Sequence, residues 1–269
     1  MASRTVDREL IAPPRRGLLL LEGRAFLEFG ALLAAYPFLR RAPKGDGHPV
    51  LVLPGFMGSD FSTRALRRFL RERGYAAHGW KLGRNVGPAA ETVAGLRQRF
   101  AELRQRYGRT VSLIGWSLGG VYARELARRF PSDVRLVITL ASPFRDLRAV
   151  NVPGFLRARR PPLPNEAALR EQLADPLPVP MTAIYSRSDG IVAWQSCIAR
   201  PGPQCENIEV ESSHLGIGHH PVALLTIADR LAQPEGEWKP FQPPTGWRWP
   251  LVPRVAAPIA EADEESAAT

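Results

Sequence analysis

A chain of 269 residues in which 45% are hydrophobic is long enough for one large α/β domain, and no internal linker argues for two. The formal net charge is +10, yet only Lys44, Lys81 and Lys239 are lysines and the arginines are spread through every helix. Without basic runs or interleaved aromatics to stack on bases, this balance excludes a nucleic-acid binder and reads as a solvated basic surface.

At the N-terminus, Leu18–Leu21 follows Arg15 and Arg16 in the manner of a signal peptide. Glu22, Arg24 and Glu28 interrupt the apolar run, and no small-residue cleavage pattern follows, so neither a signal peptide nor a membrane span is expected. That absence points to a cytoplasmic protein. The spacing from Gly17 to Tyr36 predicts an amphipathic helix packed on the domain, with a surface touching lipid or a partner as the alternative.

From His48 onward, apolar runs alternate with helical patterns, as in a parallel sheet covered by helices. Strands are expected at Val50–Leu53, Tyr75–Ala77, Thr110–Ile114, Val134–Leu140, Met181–Tyr185 and Asn207–Val210. Helices are expected at Thr63–Arg73, Ala89–Tyr107, Leu118–Phe130 and Pro221–Ala232. Pro88 and Gly108 bracket the second of these, and Pro131 stops the third. A Pro- and Arg-rich insertion, 143–180, breaks the rhythm and holds one short helix, Glu166–Leu173, capped by Asn165. The organisation is thus an N-terminal segment 1–47, a domain over 48–233 containing the insertion, and an extended or disordered tail 234–269.

The chemistry centres on Gly115-Trp116-Ser117-Leu118-Gly119. Gly-x-Ser-x-Gly is a weak signal alone, but here a strand precedes it and a helix follows, so Ser117 falls on the turn between them. Such a turn strains its central residue and leaves no room for side chains at the glycines. It also holds the hydroxyl at a helix N-terminus that favours negative charge. A serine needs a base. Of five histidines, His214 alone follows a late strand by a short loop. His219 and His220 lie at the start of a helix, and His48 lies at the opposite sheet edge. Asp189, just after the strand Met181–Tyr185, is the acid expected to orient it, with Asp146 as runner-up. The oxyanion donors are expected at the backbone of Leu118 and Phe56, the latter in Leu53-Pro54-Gly55-Phe56-Met57-Gly58.

Cys197 and Cys205 either close a small loop or remain thiols, and nothing around them has metal-ligand spacing. No cofactor is called for.

With these residues in place, the chain resembles the bacterial lipases and esterases of the α/β-hydrolase superfamily. The likeness rests on Val50–Phe56, Gly115–Gly119, Asp189-Gly190-Ile191-Val192 and Ser213-His214-Leu215-Gly216. It implies a mostly parallel, six-stranded sheet with helices on both faces and a lid at 143–180. It also implies hydrolysis of an ester or lipid-like small molecule, through a catalytic triad of Ser117, Asp189 and His214. A thioesterase or acyltransferase would use the same triad, and a non-catalytic member would bind lipid or a partner through the N-terminal helix or lid. An unperturbed His214 predicts a rate that falls as pH drops through about 6.5.

Overall fold

The computed structural model describes residues 11–153, 172–243 and 254–255. Strands β1 (Pro49–Leu53), β2 (Ala76–Gly79), β3 (Val111–Trp116), β4 (Val134–Leu140), β5 (Met181–Tyr185) and β6 (Cys205–Glu209) form a parallel array. A two-residue strand, β7 (Arg254–Val255), adds antiparallel to β6 and completes the order β2-β1-β3-β4-β5-β6-β7. The expected sheet of six is therefore corrected to seven. Two exposed residues in a Pro-rich tail carry no period-2 pattern from which a strand can be read.

Alternation along each strand builds two cores. Val50 and Val52 of β1, Ile114 of β3, Ile138 of β4 and Ile184 of β5 face one way. There they meet Leu66 and Phe69 of α2 (Arg64–Glu72), Leu224 and Ile227 of α5 (Pro221–Ala232), and Leu32 and Leu39 of α1 (Ala25–Leu39). Leu51, Leu53, Leu113 and Val137 face the other way, against Leu96 and Phe100 of α3 (Ala90–Tyr107) and Val121 and Leu126 of α4 (Leu118–Arg129). Strands β1, β3, β4 and β5 are buried on both faces, which is why their sequences are nearly continuous apolar runs.

The N-terminal segment is a 3-10 helix, Arg16–Arg24, running into α1, in place of one regular helix over 17–36. Its polarity is inverted: Glu22 and Glu28 are buried, while Leu20, Phe26, Leu27, Leu33 and Phe38 face outward. No helix among the described residues is long and apolar enough to cross a membrane.

Of the insertion, Phe144, Leu147 and Ala149 enter the core, and Val150 bridges Val192. At its far end, buried Arg124 of α4 donates through Nε and Nη2 to the Leu173 carbonyl (3.0 and 2.7 Å) and stacks on Phe144. Burial pushes that guanidinium down to about 9, with Arg128 adding to the shift. Most of the expected helix Glu166–Leu173, and the apolar and arginine side chains of 154–171, lie outside the described residues, though 172–174 are helical. In the tail, Phe241 is buried and its N–H donates to Glu206 Oε2 (2.7 Å). Both cysteines are free thiols, Cys197 buried and Cys205 partly so, and burial raises the pKa of each.

Candidate active site

Ser117 sits where β3 gives way to α4 and takes φ 53°, ψ −121°, a conformation costly for any residue with a Cβ. Its N–H donates to the Leu140 carbonyl (2.8 Å), and the Gly120 N–H donates to its own carbonyl (2.9 Å), so the turn is held from both sides. Gly119 is required by close approach, since a Cβ there would lie 2.3 Å from the Leu53 carbonyl oxygen. Helix α4 thereby starts tight against the end of β1, with its N-terminal amides beside Ser117.

The loop after β1 lies against the same serine: a Cβ on Gly55 would lie 3.1 Å from Ser117 Cβ. Within the loop, the Met57 N–H is used by the Asn85 carbonyl (2.7 Å) and the Gly58 N–H by the Gly55 carbonyl (3.0 Å). Met57 is held at φ 61°, a second strained non-glycine residue at the site. Fully buried Asn85 supports the loop: its N–H donates to the Gly58 carbonyl (2.8 Å) and Nδ2 to the Pro54 carbonyl (2.8 Å). Phe56 lies partly buried between these anchored neighbours, and Leu118 begins α4.

On the neighbouring strands, Asp189 follows β5 and His214 follows β6. His214 Nδ1 and Asp189 Oδ2 are 2.7 Å apart, and both side chains are almost wholly buried. The other oxygen of Asp189 accepts the N–H groups of Ile191 (2.8 Å) and Val192 (2.7 Å), which fixes the carboxylate in its own turn. Trp116, next to Ser117, donates from Nε1 to the His214 carbonyl (3.1 Å) and ties the strand bearing the serine to the loop bearing the histidine. Burial opposes charging His214, but the charge and hydrogen bond of Asp189, helped by the charge of Glu22, outweigh it and leave its pKa raised above 6.5. Asp146, the runner-up acid, is instead spent on its own turn, accepting the Arg148 N–H at 2.9 Å.

Two further carboxylates belong to this site. Glu22 Oε1 accepts the N–H groups of Gly190 (2.8 Å) and His214 (3.0 Å), and Oε2 accepts that of Leu215 (2.9 Å). Glu28 accepts the Ser213 N–H (2.7 Å) and hydroxyl (2.5 Å), and a Cβ on Gly216 would lie 1.4 Å from its Oε2. The N-terminal segment therefore grips both the Asp189 loop and the His214 loop from behind. In sequence these acids read only as interruptions of an apolar run. Their signal was the cost of placing two carboxylates among leucines and phenylalanines.

A second Ser–His–Asp constellation stands at the opposite sheet edge. Ser112 Oγ lies 2.9 Å from His48 Nε2, and His48 Nδ1 contacts Asp46. Both Ser112 and His48 are sealed from solvent, and Arg135 lies 2.7 Å from the same Nδ1. Burial and the Arg135 charge depress His48 to about 4. Asp46 is itself held low by hydrogen bonds from His48 and Arg109, which overcome its desolvation. With its serine and histidine closed to solvent, this cluster ties the start of β1 to β3.

A cleft of about 570 Å³ opens beside Asp189, lined by Ile11, Pro14, Leu18, Arg187 and Trp194. It flanks the acid, and neither Ser117 nor His214 forms part of its wall. Among the described residues no group of His, Cys, Asp or Glu is arranged to hold a metal ion.

No family model matches the chain. A Bacillus subtilis (strain 168) protein named carboxylesterase is 28% identical over 108 residues, 37% of this chain. The match covers 43% of that relative, so it spans less than half of its length. Aspergillus fumigatus lipase B superposes with a TM-score of 0.54 at 19% identity, covering 70% of this chain and 53% of the lipase. The chain has the α/β-hydrolase fold. A Bacillus licheniformis lipase in its mature form has the same α/β-hydrolase architecture, with a TM-score of 0.50, 17% identity and coverage of 70% of this chain and 94% of that one. In the α/β-hydrolase frame, Ser117 occupies the strand-to-helix turn, while Asp189 and His214 follow the next strands but one and two.

Proposed function

We propose that the protein is a serine hydrolase that cleaves carboxylic esters through an acyl-enzyme on Ser117. One observation carries the reading: a serine strained at φ 53° on the β3–α4 turn shares its sheet edge with a buried His214–Asp189 pair, joined to it through Trp116. Storing strain at one serine while burying an aligned imidazole and carboxylate beside it has a use in nucleophilic catalysis and none in packing. The names borne by the carboxylesterase and lipase relatives agree with it.

In this reaction His214 Nε2 removes the Ser117 proton as Oγ attacks the ester carbonyl carbon. Asp189, bonded to Nδ1, holds the tautomer that leaves Nε2 basic and stabilises the imidazolium that forms. The tetrahedral oxyanion takes hydrogen bonds from the Leu118 and Phe56 amides, assisted by the N-terminal dipole of α4. Collapse breaks the bond to the alcohol, which leaves with the proton from His214. Water, deprotonated by the same histidine, then attacks the acyl carbon and releases the acid and Ser117.

The test is labelling by a fluorophosphonate probe in wild type and Ser117→Ala, followed by turnover of p-nitrophenyl esters of graded chain length. Labelling and turnover lost together in the variant support the proposal. Folded wild type that neither labels nor turns over any ester defeats it.

A further inference from the structure

Along 17–38 every exposed residue is apolar, glycine or proline. Leu20 is 85% exposed, Phe26 86%, Leu27 76%, Leu33 63% and Phe38 66%. The segment's charged residues are turned away. Glu22 and Glu28 are spent on the catalytic loops, and Arg24 reaches inward to Ser188 Oγ (2.7 Å). Water thus meets the side of the helix that an ordinary amphipathic helix would bury. Contiguous apolar surface of this kind marks an interaction site.

The rim says what kind. Exposed Arg15 and Arg16 stand at one end, and exposed Arg40, Arg41 and Lys44 at the other, while no acidic residue is exposed anywhere from Ile11 to Gly45. We propose that this face docks on an anionic lipid surface, with Leu20, Phe26, Leu27, Leu33 and Phe38 entering the acyl boundary and the two cationic ends meeting headgroups. Large apolar side chains bracketed by arginines are what interfacial binding needs. A two-fold pairing with a second copy fits worse, because the helices lying antiparallel would bring the cationic ends of one against those of the other. The face is also continuous with the site. Leu215, beside His214 and held by Glu22, is 51% exposed. Docking therefore sets the His214 loop at the edge of the bilayer. The inference rests on exposure and charge, and stands whatever reaction Ser117 performs.

The full chain is sedimented with vesicles of phosphatidylcholine alone and with phosphatidylglycerol added, then compared with Phe26→Ser/Leu33→Ser and with Arg40→Ser/Arg41→Ser. Wild type is expected to bind the anionic vesicles, and each double variant at least tenfold less tightly. These side chains point outward, so unchanged circular dichroism and Tm show that folding is intact. Light scattering on the same samples reports the oligomeric state. No vesicle binding, binding unaffected by either variant, or a stable dimer that Phe26→Ser/Leu33→Ser dissociates would overturn the proposal, the last in favour of a second copy as occupant.

Discussion

The carboxylate of Glu22 accepts the backbone N–H of His214 at 3.0 Å, although 192 residues separate them in sequence. The same oxygen accepts the N–H of Gly190, next to Asp189, so one side chain sets the spacing between the base and its acid. Glu22→Gln keeps the shape but leaves a single acceptor oxygen, so one of the three N–H groups then faces an amide donor. We expect kcat to fall on the order of 10²-fold through misplacement of the imidazole. Loss of the Glu22 charge also removes support for the imidazolium, so the acid limb of kcat/KM moves to lower pH. A merely structural Glu22 would lower Tm and leave that limb in place.

The wild-type limb itself has a definite direction. His214 must be neutral to act as base, and its pKa is raised by Asp189 and Glu22 against the cost of burial. Activity is therefore expected to be half lost at a pH above 6.5, not at the value of a free histidine. Asp189→Asn should cost about 10⁴ in kcat, as expected when the tautomer is no longer fixed. Stopped assays from pH 5 to 9 test both, and a midpoint at or below 6.5 would contradict the role given to the carboxylates.

What could be read from sequence was whatever local pattern dictates. Strands such as Val134–Leu140 and the turn at Ser117 announce themselves by apolar runs and glycine spacing, and those cues hold in three dimensions. His214 and Asp189 were legible because each closely follows a strand of a parallel sheet, and the sheet's direction brings such residues to one edge. Glu22, Glu28 and Asn85 were not legible. Their partners are backbone amides far away in the chain, and an N–H acceptor leaves no trace in the identity of the residue it serves. The inverted polarity of Arg16–Leu39 has the same origin: what those acids bind decides which face turns inward.

The Ser112–His48–Asp46 group, whose serine and histidine are buried, provides a control for the reading of Ser117. Ser112→Ala should label with a fluorophosphonate as fully as wild type, because no probe reaches a serine that is sealed from solvent. Labelling lost in Ser112→Ala with the fold intact would move the reactive centre to the other edge.

His48 also gives stability a pH dependence. Its folded pKa of about 4 lies below the unfolded value of 6.5, so between those limits the unfolded chain binds the extra proton. Its contribution is fully present above pH 6.5 and is lost as the pH falls toward 4, on the order of 3 kcal/mol in all. His214, shifted upward, acts in the opposite sense, adding stability below pH 6.5 that is lost as the pH rises through its folded value. Urea midpoints for wild type and His48→Gln between pH 4 and 7 separate the two: the variant should lose much of the acid slope.

Asn85 offers the sharpest separation of support from chemistry. It is fully buried, its amide holds the Pro54 carbonyl, its Oδ1 takes the Gly87 N–H (3.2 Å) and the Tyr122 hydroxyl (3.3 Å), and its backbone pairs with Met57 and Gly58. Asn85→Ala keeps the backbone pairing but leaves the Pro54 carbonyl and the Gly87 N–H short of the Asn85 amide, at a cost of about 1–3 kcal/mol for each that stays dry. The Gly55–Gly58 loop then loses the anchor that presses it toward Ser117. A loosened oxyanion donor acts on the transition state and scarcely on bound ester, so kcat should drop between ten- and a thousand-fold with KM nearly unchanged. Fluorophosphonate labelling should slow in parallel, because it passes through a similar anion. A variant that is less stable but turns over ester at the wild-type rate would show the loop, and the Phe56 amide in it, to be held by its backbone pairs alone.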